Sequence, residues 1–252
     1  MTITPATEGQ SIPIPILARG KDWLVVDKPA GISVHNMPGQ DVCSLVSAFV
    51  EEDGSFSGQG DGEKDSGVSP VHRLDKETSG ILLLATTAEA FRFFSRQFES
   101  HQVQKRYIAI LHGRLAAPQG DDSWGTWDRA LTKSAGGRRH PEGTGRRRTA
   151  ETLYRIMDYS THYTMVEIEL HTGRKHQIRR HAKMAGHAVV GDTRYGSKRA
   201  ADYLKKNLDF SRLALHAQAL TLQIPERTEP DTIVTSEVPG QMLELFKNDP
   251  ES

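Results

Sequence analysis

Residues 71–85 read VHRLDKETSGILLLA, a run of charged side chains followed directly by an apolar segment. The apolar part has the length and composition of a buried β-strand. Charged residues beside a buried strand are usually paired with one another or functional. Two interpretations therefore stay open: a turn held by an ion pair between Arg73 and Asp75, and a chemical site.

The segments around this stretch predict the fold class. WLVVDKPAGISVH (23–35) indicates a strand, a Pro-Gly turn and a second short strand, and TAEAFRFFSRQFES (87–100) indicates an amphipathic helix. Residues 150–174 predict a β-hairpin, and residues 176–186 predict a helix that ends at a glycine. Because strands outnumber helices and many follow one another, the expected class is α+β, with a mixed, largely antiparallel sheet flanked by helices and loops.

The chain is expected to form a single domain. Residues 1–15 are rich in Thr, Pro and Gly and predict a flexible tail, so the domain is expected over residues 16–248. Residues 51–67 are acidic and rich in Gly and Ser, which predicts a mobile surface loop. Residues 116–148 predict a second long irregular stretch.

Composition excludes several classes of protein. No apolar run approaches the ~18 residues of a membrane-spanning helix, and the N-terminus lacks the basic and apolar segments of a signal peptide. Cys43 is the only cysteine among the 252 residues, which excludes a disulfide framework and a cysteine-based zinc site within one chain. The expected location is therefore the reducing cytoplasm.

Charge is distributed unevenly along the chain, although 32 basic residues balance 32 acidic ones. Residues 129–212 carry 19 basic and 8 acidic side chains. A basic third of this kind suits the binding of a polyanion such as nucleic acid. A solvated basic face without a partner fits the same distribution equally well.

A second cluster of basic residues lies in LHTGRKHQIRRHAKMAGHAVVGDTRYG (170–196). The predicted helix places Arg179 and Arg180 three and four residues after His176, an arrangement that suits phosphate or carboxylate binding. Four histidines also suggest a metal site, namely His171, His176, His181 and His187. Their spacings of five, five and six residues do not match zinc-binding helices, so no metal is expected.

A third feature is KRYIAILHG (105–113), which predicts a strand with Tyr107 after two basic residues. A tyrosine at the start of a strand is usually a core or rim aromatic. Its basic neighbours also fit a role in stacking on a nucleic-acid base.

Together these segments resemble the RluA family of RNA pseudouridine synthases, which act on large-subunit ribosomal RNA and transfer RNA. HRLDKETSG resembles the family's signature segment, and four further segments resemble its other motifs in the expected order: WLVVDKPAGISVH, KRYIAILHG, HTGRKHQIRRHAKMAGHAVVGDTRYG and LALHAQALTL. The resemblance covers roughly residues 16–225 and implies the pseudouridine synthase fold. It leaves no room for the small N-terminal RNA-binding module of many members, and it does not extend to the loops at 51–68 and 119–148.

The resemblance implies an isomerase that detaches uracil from its ribose, rotates it and rejoins it through carbon 5. It assigns the nucleophilic carboxylate to Asp75, the cation that holds this carboxylate ionised to Arg179, and the aromatic that stacks on the base to Tyr107. It also implies that the target uridine is flipped out, with Arg73 filling the space left behind. RNA-binding roles are expected for five residues: His72, Arg73, Arg174, His176 and Arg180.

The expected partner is ribosomal or transfer RNA, bound by a monomer without cofactor, metal or membrane. The arginines of the 138–148 loop are expected to grip the RNA backbone as the loop becomes ordered. Two alternatives stay open. One is an RNA-binding protein that has lost catalysis, and the other is a carboxylate-based glycoside hydrolase. The hydrolase needs a second acidic residue facing the first, and Glu77 would tend to point elsewhere on an extended chain.

Overall fold

The computed structural model describes residues 1–3, 13–54, 67–118, 124–225 and 232–249. Most of the predicted acidic loop, part of the predicted tail and residues 119–123 lie outside these ranges. Within the predicted tail, Thr2 and Ile3 pair with Pro15 and Ile14.

The described residues form thirteen strands and five helices. In chain order they are β1 (Thr2–Ile3), β2 (Ile14–Arg19), β3 (Trp23–Lys28), α1 (Val42–Asp53), β4 (Ser69–Pro70), β5 (Ser79–Ala85), α2 (Ala88–Glu99), β6 (Gln104–His112), β7 (Gly125–Trp127), β8 (Leu131–Thr132), β9 (Arg147–Arg148), β10 (Thr152–Tyr159), β11 (Tyr163–Leu170), α3 (Gln177–Met184), α4 (Lys198–Asn207), β12 (Leu215–Leu222), β13 (Thr232–Thr235) and α5 (Gly240–Lys247).

The chain divides into two compact units. Unit 1 consists of Met1–Gln104 with Ala219–Ser236, and unit 2 consists of Lys105–Gln218 with Glu237–Ser252. The prediction of one domain over 16–248 stays a prediction. In unit 1, β1, β2, β3 and β5 pair in that order, and β4 adds to β5. In unit 2, β6, β11, β10 and β7 pair in that order, and β8 pairs with β9.

These pairings are antiparallel, which confirms the predicted α+β class. The predicted hairpin is β10 and β11, whose register runs from Thr152 opposite Leu170 to Tyr159 opposite Thr164. Strand β5 is buried along its whole length, as expected for the apolar run. The helix α2 packs its Phe94 against this core, where the ring meets Trp23 edge-on at 6.1 Å.

The second short strand predicted in residues 32–35 is wrong. These residues form irregular, bent backbone, and the carbonyls of Ser33 and Val34 accept hydrogen bonds from the amides of Val42 and Cys43 (both 3.0 Å). Their carbonyls therefore satisfy the first amides of α1 and do not pair with another strand.

The stretch predicted as irregular contains strands as well. Residues 125–127 form β7, and the two-residue strands β8 and β9 close the segment between them into a loop. Among the helices described, none combines the length and apolar content needed to cross a membrane.

Candidate functional site

Asp75 lies in a tight turn of unit 1 that leads into β5. Its side chain is half-buried and follows Leu74, which is buried. The amide of Thr78 donates to the carbonyl of Asp75 at 3.1 Å and closes the turn. The backbone of Asp75 is thus fixed by the buried side chain of Leu74 before it and by the hydrogen bond from Thr78 after it.

Lys28 also holds this turn in place. Its side chain is fully buried, and Nζ donates to the carbonyls of Pro29 (2.8 Å), Ile32 (2.9 Å) and Lys76 (3.1 Å). The amide of Gly31 also donates to the carbonyl of Lys76, at 2.8 Å. Gly31 has a φ of 90°, a conformation that side-chain-bearing residues rarely adopt. The carbonyl of Lys76, the residue after Asp75, is therefore fixed by two donors, one at the end of β3 and one in the turn that follows it.

His72 and Arg73 precede the turn and differ in exposure. His72 is half-buried, accepts a hydrogen bond at Nε2 from the amide of Leu83 (3.0 Å), and stacks on Phe98 with ring centroids 5.1 Å apart. Because Nε2 is an acceptor here, the ring is the neutral tautomer with its proton on Nδ1. Arg73 is exposed. The RNA contacts predicted for both residues stay predictions.

Tyr107 lies in unit 2 on β6, directly opposite Ile168 of β11. Only 7% of the residue is exposed. The sheet thus fixes the position of its backbone, and neighbouring groups enclose most of the ring.

Arg179 lies on α3 and forms a two-pronged ion pair with Asp192. Nε donates to Oδ2 at 2.7 Å and a terminal nitrogen donates to Oδ1 at 3.0 Å. Both side chains are buried. The guanidinium also lies 5.4 Å from the centroid of the Tyr195 ring. Its orientation is fixed by these contacts, because a bidentate pair allows one geometry.

Sequence reasoning missed Asp192 as the partner of Arg179. Its Oδ1 also accepts the backbone amides of Arg194 and Tyr195, each at 2.9 Å. The preceding Gly191 has a φ of 77°, and a Cβ there would lie 1.9 Å from the carbonyl oxygen of Arg212. The available signal was the aspartate of GDTRYG (191–196), because an aspartate needs a cationic partner when it is buried.

The residues that lead into α3 are held by Gln177. Its Oε1 accepts the amide of Arg174 at 2.9 Å, and the Arg174 side chain donates from Nε to the carbonyl of Thr149 at 3.0 Å. His176 has a φ of 54° and contacts the hydroxyl of Tyr195 through Nδ1 at 3.0 Å. Both Arg174 and His176 are half-buried, and their predicted RNA-binding roles stay predictions.

Arg180 is fully buried in unit 2. Its guanidinium donates to backbone carbonyls from four residues, namely Thr132, Pro141, Glu142 and Lys175. Its donors are occupied and none of its surface reaches solvent. The RNA-binding role predicted for Arg180 stays a prediction. Arg180 holds together the loop that precedes β9.

The four histidines that suggested a metal site have separate partners. His171 contacts Glu151 and Glu169, and His176 contacts Tyr195. His181 contacts Thr152 and the carbonyl of Arg129, and His187 contacts the carbonyl of His112. Across the described part of the chain, no group of three or more His, Cys, Asp or Glu side chains is arranged to hold a metal ion.

Comparisons with known proteins connect this geometry to a family. The family model described as RNA pseudouridylate synthase matches residues 22–184, which include Asp75, Tyr107 and Arg179. A protein from Zymomonas mobilis named ribosomal large subunit pseudouridine synthase D is 36% identical over 244 residues, which cover 95% of this chain and 74% of that protein. A protein from Haemophilus ducreyi named tRNA pseudouridine synthase C is 34% identical, over 86% of this chain and 88% of that protein.

A solved structure shares the fold. The human RNA pseudouridylate synthase domain containing 4 superposes with a TM-score of 0.70 at 23% identity, over 92% of this chain and 93% of that one. The family match covers well over half of the chain, and the curated relatives exceed 30% identity across most of it. The chain therefore belongs to the RNA pseudouridylate synthase family.

Proposed function

We propose that this protein converts specific uridines of ribosomal or transfer RNA to pseudouridine, with Asp75 as the nucleophile. Membership of the family makes it an isomerase that acts on RNA. The choice of RNA follows the names of its relatives, which act on one or the other. The observation that carries the proposal is the family match, because it spans Asp75, Tyr107 and Arg179.

The reaction sets the task of Asp75. The bond between the ribose and nitrogen 1 of uracil breaks, the base rotates, and carbon 5 bonds to the ribose while its proton is lost. Nitrogen 1 gains a proton, so the reaction needs neither oxidant nor cofactor. An ionised carboxylate on a rigid backbone suits this nucleophilic role, because a fixed nucleophile loses little entropy in the reacting complex. The hydrogen-bonded turn around Asp75 supports this assignment.

Arg179 and Tyr107 are proposed to assist at the same uridine. Arg179 is proposed as the cation that pairs with the nucleophilic carboxylate and orients it, since a guanidinium can bind a carboxylate through two hydrogen bonds. Its bidentate pair with Asp192 means that the guanidinium needs no reorientation before the reaction. Tyr107 would stack on the detached base, and its position on β6 opposite Ile168, with 7% of the residue exposed, supports a fixed ring.

Base flipping completes the proposal. Extracting a uridine from a structured RNA costs a few kcal/mol, which phosphate contacts and a residue in the vacated space offset. Arg73 is proposed to occupy that space, because it is exposed and only two residues from Asp75. We further propose that the enzyme works as a monomer in the cytoplasm, where its substrate RNAs are modified.

The direct test is tritium release from RNA labelled at carbon 5 of uridine. Release accompanied by pseudouridine in the product RNA supports the proposal. Release of free uracil would support a glycoside hydrolase instead, and RNA binding without either product would support a non-catalytic binding protein. Mapping the pseudouridines lost from total RNA of cells that lack the gene would then identify the target uridine.

A further inference from the structure

Residues 131–148, which we name the arginine loop, form a closed structure within unit 2. At its base, β8 and β9 pair Leu131 with Arg148 and Thr132 with Arg147. Inside the loop, the hydroxyl of Thr132 donates to the carbonyl of Ser134 at 2.7 Å. The amide of Thr132 donates to the carbonyl of Glu142 at 3.1 Å. These bonds tie the two sides of the loop together.

Two glycines show how tightly the arginine loop is folded. A Cβ at Gly136 would lie 2.0 Å from the carbonyl oxygen of His140. A Cβ at Gly143 would lie 2.0 Å from the hydroxyl of Thr132, and Gly143 also has a φ of 78°. The glycines therefore permit close packing, whereas the sequence suggested a loop that becomes ordered only on RNA.

Two arginines outside the loop anchor it. The buried Arg180 donates to the carbonyls of Thr132 (3.1 Å), Pro141 and Glu142. The exposed Arg194 donates from Nε to the carbonyl of Gly136 at 3.2 Å. Each guanidinium offers several donors in a rigid plane, which lets one side chain hold several carbonyls at once.

The anchored loop presents five exposed arginines, namely Arg138, Arg139, Arg146, Arg147 and Arg148. Arg147 lies 3.8 Å from Glu142. In the part of the chain that the structure describes, the other four make no side-chain hydrogen bond or ion pair. Like charges held together without counter-charges repel one another, so this surface is poised for an anionic partner.

We propose that the arginine loop is a preformed phosphate-binding surface for the substrate RNA and that Arg180 is its positioning residue. The choice of RNA rests on the proposed function. Arg180 acts through the loop, since its own guanidinium is buried. A surface that is already folded binds without the ordering cost of a disordered segment.

The helix α3 carries both the anchor and the proposed catalytic cation. Arg179 and Arg180 are neighbours, and successive residues of a helix point about 100° apart. Arg179 therefore faces Asp192, while Arg180 faces the arginine loop. Asp192 also accepts the amide of Arg194, the second anchor. The loop and Arg179 are thus fixed by one connected set of contacts, which is buried at Arg179, Arg180 and Asp192 and exposed at Arg194.

The test is the salt dependence of binding to a fluorescein-labelled RNA hairpin. The test variant replaces the four unpaired loop arginines with glutamine: Arg138→Gln, Arg139→Gln, Arg146→Gln and Arg148→Gln. Each lost phosphate contact lowers the slope of log affinity against log salt by about 0.7 to 0.9, so a fall of about 2.8 to 3.6 is expected if all four arginines contact phosphate. The control removes four exposed charges elsewhere: Arg92→Gln, Arg96→Gln, Lys205→Gln and Lys206→Gln. A fall below about 1 is expected for the control.

Arg180→Met tests the positioning role. It should lower the salt slope in the wild-type background by a similar amount. In the background that lacks the four loop arginines it should lower it no further, because the residues through which it acts are gone. The role of Arg180 is overturned if Arg180→Met leaves the salt slope of the wild type unchanged. It is also overturned if Arg180→Met lowers the slope equally in both backgrounds. Should Arg180→Met fail to fold, Arg194→Gln removes the exposed anchor and is read in the same way.

Tritium release from the wild-type enzyme separates this inference from the proposed function. If the wild-type enzyme releases tritium and the quadruple variant keeps the wild-type salt slope, the loop is not an RNA-binding surface and the inference is overturned. A lowered slope in a protein that releases no tritium supports the loop and contradicts the proposed function.

Discussion

Arg179 and Asp192 form a buried, two-pronged ion pair, with Nε and Oδ2 2.7 Å apart. Asp192 also accepts the amides of Arg194 and Tyr195, so all the contacts described for the carboxylate lie within unit 2. Asp192 therefore holds Arg179 in one orientation, and its loss should affect stability and catalysis together.

Asp192→Asn should lower the free energy of unfolding by about 3 to 5 kcal/mol, because breaking a buried pair leaves the Arg179 charge without its counter-charge. Urea unfolding with the slope held constant measures this change. Asp202→Asn is the matched control. Asp202 pairs with Lys198 at 2.8 Å on the surface of α4, where both side chains are more than 60% exposed. Its loss should cost at most about 1 kcal/mol. Equal costs for the two variants would contradict the structural role of Asp192.

Asp75→Asn should abolish tritium release while RNA affinity stays close to that of the wild type. The substitution keeps the size of the side chain and removes only the charge that the proposed nucleophile needs. Glu77→Gln is the control, because it removes a carboxylate from an exposed position of the same turn. Tritium release by Asp75→Asn at a wild-type rate would exclude Asp75 as the nucleophile.

Lys28→Met should reduce the turnover number through a loosened Asp75 turn. The substitution keeps an unbranched apolar stem but leaves three carbonyls, including that of Lys76, without the Nζ donor. An unsatisfied buried polar group costs about 1 to 3 kcal/mol, so the free energy of unfolding should fall by at least this amount. Lys76→Met is the control, since its side chain is exposed and its carbonyl is unchanged. A normal turnover number in Lys28→Met would show that Lys28 does not position Asp75.

Local patterns in the sequence predicted the elements that carry the candidate site. The helical spacing of α2 and the alternation in β10 and β11 depend on neighbouring residues, so a single sequence shows them. The different environments of Arg179 and Arg180 could not be predicted in this way. Both are adjacent arginines on one helix, and their environments depend on distant partners, Asp192 for one and the 132–142 carbonyls for the other. The two-residue strands of the arginine loop are too short to produce any periodicity.

Acid should destabilise the protein through His181. The ring is buried, Nδ1 contacts the hydroxyl of Thr152 and Nε2 contacts the carbonyl of Arg129, each at 2.9 Å. Burial is the main cause that lowers the pKa of His181 below its usual value of 6.5, because a charged ring would lose its hydration. The unfolded chain therefore binds a proton near pH 6.5 that the folded chain binds only at lower pH.

The sign of the pH dependence follows from this difference. Above about pH 6.5 the histidine is neutral in both states, and its contribution to stability is fully present. As the pH falls further, the unfolded state gains a proton first, so the free energy of unfolding decreases by up to about 1.4 kcal/mol per pH unit. Urea unfolding between pH 8 and the folded pKa should show this decrease. His181→Gln should be less stable at pH 8 but should lose less stability on acidification, and parallel curves for the two proteins would show that His181 is not the responsible group.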